Sequence, residues 1–392
     1  MPWKERKALD EKRSFIEEWK EQEESLAELC RRYEISRQTG YKWLERYQEE
    51  GESGLEERSR APLHHPQAMQ AHVRDVLMSL RSQHPSWGPR KLRAYLQRDT
   101  PATVWPAAST IGDLLRREGL AHPRRKRKRT PPYSEPLQHA AAPNQVWCAD
   151  FKGWFLTGDG ARCDPLTITD AYSRYLLRCC VMKRTDGKHV WAVFEAAFRE
   201  FGLPEAIRTD NGSPFASKAP AGLSKLSMLW LRLGIRHERI EPGQPQQNGR
   251  HERMHQTLKQ DTASPPERNL RQQQIAFLKF QHVFNQERPH EALKYDTPAS
   301  RYVGSERRYP AKLPELQYPE GAWLRRVSHQ GSVRLHGVRM FVSALLAWEV
   351  VGMLQVENDP DWLEVYYGPL VIGWMDTRKL RFLPTATPRP RR

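Results

Sequence analysis

Apolar residues in the first fifth of the chain recur with a helical period. One stripe at i, i+3, i+4 and i+7 consists of Leu26, Leu29, Cys30 and Tyr33. Ser25 followed by Glu28 predicts a capping box at the start of this helix. After a turn at 34–36, Ser36 can cap a second helix that runs to Gly51, and a stretch around Phe15 predicts a supporting helix. Together these elements predict a helix-turn-helix.

The second helix of such a unit begins in the major groove of DNA. Its first turn carries side chains that can donate hydrogen bonds to base edges and phosphates, and these are Arg37, Gln38, Thr39, Tyr41 and Lys42. The alternative is a plain helical hairpin with a solvated polar face. We therefore treat the five residues as candidate DNA contacts.

The helical pattern recurs between residues 73 and 119. Gly88-Pro89 opens a helix with proline at its first position, and Ser109 is predicted to cap the next helix, which Gly119 closes. This pattern predicts a second helix-turn-helix, with Ser109 and Thr110 as candidate DNA contacts. Two linked modules bind DNA more tightly than one when both can engage together.

A run of six cations follows the second helical unit. Prolines flank the run, which consists of Arg124, Arg125, Lys126, Arg127, Lys128 and Arg129. Such a segment cannot pack into a core, so it predicts an extended linker that follows the phosphate backbone of DNA. The alternatives are a solvated spacer and a nuclear-localisation segment.

From residue 144 the pattern changes to strands. Three consecutive strands are predicted within 146–182, followed by alternating helices and strands up to residue 240. That order predicts an α/β protein with a ribonuclease-H-like mixed sheet and helices on both faces. Alternating apolar positions between 333 and 374 predict a small β-barrel at the end of the chain.

The predicted organisation is multidomain. Its parts are a first helix-turn-helix domain at 1–62, a second at 63–122, a basic proline-rich linker at 123–143, a ribonuclease-H-like catalytic core at 144–305, a small β-barrel at 315–384 and a disordered basic tail at 385–392.

The charge balance favours nucleic acid as the partner. The chain has 63 Lys+Arg against 47 Asp+Glu, a net charge of +16. A membrane partner is not expected, because polar residues interrupt the most apolar stretch, at 340–356, and the charged N-terminus does not resemble a signal peptide. Five cysteines without a C-x-x-C pair predict neither a disulfide framework nor a zinc site, and indicate a reducing cytosol.

Three acidic residues occupy three different kinds of predicted local structure. Asp150 lies within a strand, Asp210 ends a strand, and Glu252 lies in the first turn of a helix. A two-metal phosphoryl-transfer site needs hard oxygen ligands from separate elements in this way. On the helix, Glu252 shares one face with His255 and Lys259, which fits either a ligand aimed at metal or an ordinary helix with a wet polar side. Periodicity leaves both interpretations open.

Four motifs occur in order within the central region. They are Val-Trp-Cys-Ala-Asp-Phe-Lys-Gly at 146–153, Arg-Thr-Asp-Asn-Gly-Ser-Pro-Phe at 208–215, Gln-Pro-Gln-Gln-Asn-Gly-Arg-His-Glu-Arg at 244–253, and Asn-Gln-Glu-Arg-Pro-His-Glu-Ala-Leu at 285–293, followed by Thr297-Pro298. This series resembles the integrase core of bacterial insertion-sequence transposases, which share a DDE catalytic core with retroviral integrases. The resemblance extends from about residue 25 to 380, because paired helix-turn-helix modules and a β-rich tail are also typical of the group.

The resemblance implies a DNA transposase. Asp150, Asp210 and Glu252 correspond to the catalytic, metal-binding triad, which implies two Mg²⁺ ions, replaceable by Mn²⁺, and no small-molecule cofactor. Arg250 and Lys259 are further candidate contacts to DNA. The expected partners are double-stranded DNA, as element ends and as target, and other copies of the chain in a dimer or larger oligomer on paired ends. The expected location is the bacterial cytoplasm, in association with the nucleoid.

The spacing between two of these carboxylates departs from the group. The interval from Asp210 to Glu252 is longer than in the best-known members of the wider family, and the additional length is predicted to lie in 216–224. Other nearby acidic residues are weaker candidates, because Asp170 fits a hairpin turn and Asp159 and Glu241 lie in predicted loops. Two other functions remain open, namely a DNA-binding regulator with a silent core and a structure-selective nuclease.

Overall fold

The computed structural model describes residues 8–58, 69–121, 140–241, 249–335, 337–357 and 359–385. The chain divides into two compact units, residues 1–69 and 70–392, and each is described by itself. The six cations predicted to form the linker lie outside the described residues, and these are Arg124, Arg125, Lys126, Arg127, Lys128 and Arg129.

The first unit contains three helices around a small apolar core. They are α1 (Ala8–Glu21), α2 (Leu26–Arg32) and α3 (Arg37–Glu50). The predicted capping box is confirmed, since Ser25 and Glu28 exchange side-chain and backbone hydrogen bonds, and Ser36 caps α3 by accepting from the backbone of Thr39. Gly40 lets α3 approach α2 closely, because a Cβ there would lie 2.5 Å from the sulfur of Cys30.

The second unit begins with three more helices, α4 (Ala71–Gln83), α5 (Pro89–Asp99) and α6 (Ala108–Arg117). Pro89 opens α5 as predicted. The predicted cap of α6 is wrong. A serine caps a helix from the extended residue before it, and here that residue is Ala107, so Ser109 lies inside the first turn.

The central domain is built on a mixed sheet. Its strands are β1 (Val146–Phe151), β2 (Phe155–Leu156), β3 (Arg162–Asp170), β4 (Leu176–Met182), β5 (Ala206–Thr209) and β6 (Arg236–Arg239). Its helices are α7 (Gly187–Phe201), α8 (Lys225–Arg232), α9 (Gly249–Thr262) and α10 (Leu270–His282). The order is β4-β3-β1-β5-β6, and the short β2 pairs antiparallel with the first residues of β3. Strands β1, β3 and β4 pair antiparallel, whereas β1, β5 and β6 pair parallel. This arrangement confirms the predicted ribonuclease-H-like fold.

The parallel register of β1 and β5 positions two of the predicted carboxylates. Cys148 of β1 pairs with Arg208 of β5. Continuing this register by two residues places Asp150 beside Asp210 at the carboxyl ends of adjacent strands. The helix that connects β4 to β5, α7, is capped by Asp186, whose side chain accepts hydrogen bonds from the backbone of Lys188 and His189.

Side-chain amides of α10 and the turn after it cover the edge strand β4. Gln274 bonds the backbone of Val181 and Cys179, Gln281 donates to Leu176 and Leu177, and Asn285 both donates to and accepts from the backbone of Leu176. These bonds satisfy backbone N–H and C=O groups of the edge strand that another strand could otherwise pair with. They hold α10 against the sheet.

Helix α9 packs on the sheet through its apolar side. Met254 and Leu258 are buried with Phe277 of α10 and with Cys163 and Cys179 of the sheet. Burial of this side fixes the rotation of α9. Glu252, in the first turn, is consequently on the side of the helix that faces the end of β1.

The tail forms a five-stranded antiparallel sheet and a separate hairpin. The sheet has the order β13-β12-β11-β10-β7, and β8 pairs with β9. These strands are β7 (Trp323–Arg326), β8 (Ser332–Leu335), β9 (Val338–Phe341), β10 (Val350–Val356), β11 (Asp359–Tyr367), β12 (Leu370–Asp376) and β13 (Arg381–Pro384). Hydrogen-bonded pairing within the described tail does not close this sheet, so the predicted barrel is not confirmed.

The segment 216–224 packs against the tail. Leu223 and Met228 belong to the same buried apolar cluster as the tail strands, and Arg232 of α8 forms a 2.5 Å ion pair with Glu349. The segment that was predicted to hold the additional length thus lies where the core and tail meet. Among the described helices, none has the length and apolarity needed to cross a bilayer.

Candidate active site

A cavity of about 400 Å³ opens between the end of β1 and the first turns of α9. Asp150 reaches it from β1 and Glu252 from α9, so two of the three predicted triad residues share one site. The residues that line the cavity are Asp150, Phe151, Lys152, Glu252, His255, Gln256 and Lys259. Residues 242–248, which include the first five residues of the motif at 244–253, lie outside the described residues, as does the side chain of Arg250.

Asp210 does not line this cavity. It is half-buried immediately after β5, and one carboxylate oxygen accepts a 3.1 Å hydrogen bond from the backbone of Gly212. Only glycine allows this close approach without displacement, since a Cβ at 212 would lie 3.1–3.2 Å from the Asp210 oxygens. The turn therefore places the third carboxylate beside the site on the neighbouring strand.

The available donors fit a hard divalent cation. Asp150 and Glu252 supply carboxylate oxygens to one cavity, with Asp210 on the adjacent strand, and Mg²⁺ prefers oxygen ligands of this kind. The three are not assembled into a finished cage. Within the described ranges, no group of three or more His, Cys, Asp or Glu side chains is arranged to hold a metal ion.

A buried polar chain runs behind Asp150. The hydroxyl of Thr167, on β3, lies 2.7 Å from Nε2 of His251 and 2.7 Å from Nε2 of His255, and 3.2 Å from the backbone oxygen of Asp150. One hydroxyl has one proton, so at least one imidazole must donate to it. The sequence left open whether the face of α9 that carries His255 is solvated, and the structure shows that His251 and His255 are both buried.

Both imidazoles are neutral at physiological pH. Burial lowers the pKa of His251 to about 4, and burial, His251 and Lys152 lower the pKa of His255 to about 2. Nδ1 of His255 lies 4.0 Å from the carboxylate of Asp150. Because the ring is neutral, this contact is not an ion pair. The histidines instead form a fixed polar wall beside Asp150.

Two lysines lie on the walls of the cavity. Lys259 was predicted from its position two turns after Glu252, whereas Lys152 was missed. The sequence did contain a signal that Lys152 lies near the site. Residues two apart on an extended strand face the same side, and Lys152 follows Asp150 by two. Thr167 was also missed, since nothing along β3 shows that it lies against α9.

The acidic residues that were weaker candidates in the sequence have other surroundings. Asp170 is fully buried and accepts hydrogen bonds from the backbone of Asn144 and from Ser173, which is a structural role at the hairpin. Asp159 accepts a hydrogen bond from Thr157 within a loop, and Glu241 is exposed before the segment outside the described residues.

The predicted DNA contacts of the helix-turn-helix units are mostly exposed. Arg37, Gln38, Tyr41 and Lys42 project from the first turns of α3, and Ser109 and Thr110 from the first turn of α6. Thr39 is the exception among these residues. It is half-buried, and both its backbone and its hydroxyl contact Ser36 in the helix cap.

The second module rests on the far end of α9. Arg288 is buried at this contact, where it lies 3.7 Å from Asp261 and 3.4 Å from Ser86 of the α4–α5 turn. Arg98 of α5 donates a 2.7 Å hydrogen bond to the backbone of Glu287. Burial raises the pKa of Asp261, and the charge of Arg288 opposes that rise. The helix that carries Glu252 thus also contacts the second module.

Four domain families match the helical modules and the central domain of this chain. The Integrase core domain family matches residues 140–245, and a second Integrase core domain family matches residues 233–298. A Helix-turn-helix domain matches residues 11–62, and a Homeodomain-like domain matches residues 39–115. These matches confirm two DNA-binding helical domains ahead of an integrase core.

Relatives come from bacterial insertion elements. The chain is 29% identical over 248 residues to the IS407 uncharacterized 31.7 kDa protein of Burkholderia multivorans, covering 62% of this chain and 85% of that protein. It is 27% identical over 225 residues to the IS476 uncharacterized 39.2 kDa protein of Xanthomonas euvesicatoria, covering 57% of this chain and 62% of that protein.

Solved structures with some likeness include viral integrases. One is the HTLV-2 integrase catalytic core domain in complex with magnesium, with 18% identity, a TM-score of 0.33, and coverage of 42% of this chain and 99% of that one. Another is the simian T-cell lymphotropic virus intasome in complex with PP2A regulatory subunit B56 gamma, with 16% identity, a TM-score of 0.38, and coverage of 80% of this chain and 100% of that one.

Proposed function

We propose that this chain, which belongs to the bacterial insertion-sequence transposases with an integrase-type core, cleaves the ends of its element and joins them to target DNA. It would bind the terminal inverted repeats, free the 3′-hydroxyls and transfer them by phosphoryl transfer. The observation that carries the proposal is the shared cavity of Asp150 and Glu252, with Asp210 on the adjacent parallel strand.

The three carboxylates are the proposed holders of two Mg²⁺ ions, with Mn²⁺ as a substitute. When bound, such ions supply nucleophile activation and stabilise charge on the leaving oxygen. The protein's own part is to hold Asp150 and Glu252 on rigid elements. β1 is paired on both sides in the sheet, and α9 is fixed by Met254 and Leu258.

The neutral histidines support this role for Asp150. Nε2 of each ring is engaged with Thr167, and the charged oxygen ligands among the residues lining the cavity are the carboxylates of Asp150 and Glu252. Zinc sites in proteins are built mainly from Cys and His ligands. The donor set therefore favours Mg²⁺ or Mn²⁺ in the proposed reaction.

Because α9 contacts the second module, that module is held at a fixed position relative to the proposed cleavage site. Ser86 and Arg98 of the module contact Asp261 and Glu287 of the core. DNA held by α6 would then lie at a constant position relative to Glu252 at the other end of α9. We propose that this geometry sets which bond enters the site.

The function is tested on a labelled duplex that carries an element end, incubated with the protein, Mg²⁺ and a target plasmid. We expect nicking at the 3′ end of the element followed by covalent joining to the plasmid. Nicking without joining would instead indicate a nuclease, and binding without either product would indicate a silent regulator. Joining of two ends to one target in a single event would support a dimer or larger oligomer on paired ends.

Recognition of the ends gives a separate prediction. Arg37→Ala and Gln38→Ala should weaken binding to the element end more than binding to random DNA, because these exposed side chains can reach base edges. Removing one such hydrogen-bonded pair with a base should cost about 1–3 kcal/mol of discrimination. Binding is measured by titration at several salt concentrations with both duplexes.

The basic run at 124–129 provides the control. Alanine substitutions there should weaken binding to both duplexes alike and reduce the salt dependence, with a log–log slope change of about 0.9 for each phosphate that is no longer neutralised. Equal losses on both duplexes for Arg37→Ala and Gln38→Ala would show that α3 does not read sequence.

A further inference from the structure

The motif at 285–293 contributes a buried cation that the proposed reaction does not use. Arg288 directly follows the helical turn Val283–Glu287 at the end of α10, and only 9% of its side chain is exposed. A guanidinium keeps its charge at any physiological pH, so burying it is unfavourable unless other groups of the protein compensate for the lost water. The groups around Arg288 therefore indicate what this part of the motif does.

The guanidinium of Arg288 bridges α9 and the second module. Its Nη1 lies 3.7 Å from the carboxylate of Asp261 and donates a 3.4 Å hydrogen bond to the hydroxyl of Ser86. Its Nη2 donates a 3.4 Å hydrogen bond to the hydroxyl of Thr257. Thr257 and Asp261 are one turn apart on α9, whereas Ser86 belongs to the turn between α4 and α5. The planar fork of arginine thus contacts both elements at once.

The residue before Arg288 extends this contact. The backbone oxygen of Glu287 accepts the 2.7 Å hydrogen bond from Arg98 of α5, and its carboxylate lies 3.8 Å from Nε2 of His84. The ring of His84 stacks on Trp87, which is buried, with 3.8 Å between the ring centroids. Two consecutive residues of the motif, Glu287 and Arg288, therefore hold the α4–α5 turn of the module against the core.

The spacing of nucleotides in DNA sets how precisely the module has to be held. Glu252 and Asp261 are nine residues apart on α9, which corresponds to about 14 Å along a helix. One nucleotide of a DNA strand advances about 3.4 Å along the duplex. A shift of the second module by a few ångströms relative to α9 would therefore bring a neighbouring phosphodiester bond to the site.

We infer that Arg288 is a positioning residue, which holds the second module on α9 and so selects the phosphodiester bond of the element end that is cleaved. The inference rests on the proposed function and names the residue on which the fixed position of the module depends. Arg288 acts on the reaction through α9 and the module, so its loss should misplace DNA that is still bound. This gives the motif at 285–293 a role distinct from that of the three carboxylates.

The first test reads the position of cleavage. Arg288→Met keeps an unbranched apolar side chain but removes the fork, so nicks on an end-labelled element-end duplex should spread to neighbouring nucleotides on a sequencing gel. At the normal bond kcat should fall about tenfold to a hundredfold, since a misplacement of about 1 Å can cost that much, while KM stays within about twofold. Arg301→Met removes an exposed ion pair with Asp296 and is the matched control, which should cleave at the single normal position.

The second test replaces the contact by a covalent link. Ser86→Cys and Asp261→Cys are introduced into the Arg288→Met protein and joined by a short, reducible thiol cross-linker, since Oγ of Ser86 and the carboxylate of Asp261 lie 3.4 Å apart. We expect the link to restore cleavage at the single normal bond, and reduction to abolish that restoration. The Arg288→Met protein with Ser86→Cys alone, treated alike, controls for reaction at the native cysteines. A simple loss of folded protein would not be reversed in this way.

A milder variant keeps the inference testable if Arg288→Met does not fold. Arg98→Gln weakens the same contact at an exposed position and should also spread the nicks. Unaltered protein that cleaves no element end would refute the proposed function. If unaltered protein cleaves at one bond, only the positioning role is refuted when each folded variant of Arg288 and Arg98 cleaves at that bond alone, or when the linked protein still cleaves at scattered positions.

Discussion

Asp210→Asn is expected to abolish cleavage and joining of element ends while binding of those ends stays nearly unchanged. The substitution removes a negative charge from a proposed metal ligand but barely alters its shape. Loss of several kcal/mol of transition-state stabilisation corresponds to a rate reduction of about a thousandfold or more. Cleavage and joining are measured on a labelled element-end duplex in Mg²⁺ and in Mn²⁺, and binding is measured in EDTA.

Asp159→Asn is the matched control. It makes the same chemical change in an exposed loop, where Asp159 bonds Thr157 and does not line the cavity. That variant should cleave and join normally. If Asp210→Asn nicked DNA at a substantial fraction of the unaltered rate, Asp210 could not belong to the triad.

Glu252→Gln should be as severe as Asp210→Asn. Both residues are proposed to hold the same pair of ions, so losing either disables one unit and the double substitution should be no worse than either single one. The assay is the same as for Asp210→Asn, with first-order cleavage rates compared among the two single variants and the double variant.

Glu241→Gln is the control for this prediction, because Glu241 is exposed and precedes α9. Glu238→Gln should also retain activity. Glu238→Gln should instead lower the stability of the folded protein, since Glu238 forms a 2.6 Å ion pair with Arg208 between β6 and β5. An active Glu252→Gln beside an inactive Glu241→Gln would place the third carboxylate in the loop and refute the interpretation of α9.

Local signals predicted the helical modules well. The capping box at Ser25 and Glu28 and the proline at the start of α5 are set by residues a few positions apart, so short-range chemistry decides them. The predicted cap of α6 was wrong for a related reason. Several adjacent residues could begin this helix, and the backbone conformation, which the sequence does not show, placed Ala107 at the cap position.

The fold of the core was predictable because strand and helix patterns follow one another in a definite order. The amide contacts of Gln274, Gln281 and Asn285 with β4 were not, since they join residues about a hundred positions apart. The burial of Leu223 among apolar residues of the tail was not predictable either. Contacts at that separation depend on how whole elements pack.

For the candidate site, the sequence by itself determined the three acidic candidates and the elements that carry them. The motifs and their resemblance to integrase cores were sufficient, because each carboxylate lies on its own strand or helix. Only the tertiary structure decided that Asp150 and Glu252 share a cavity while Asp210 turns toward Gly212 beside it. It also decided that His255 is buried on Thr167 and that Lys152 lines the same cavity as Lys259. Those relations arise where α9 crosses the end of β1, and the rotation of α9 is fixed by burial of Met254 and Leu258 against residues distant in the chain.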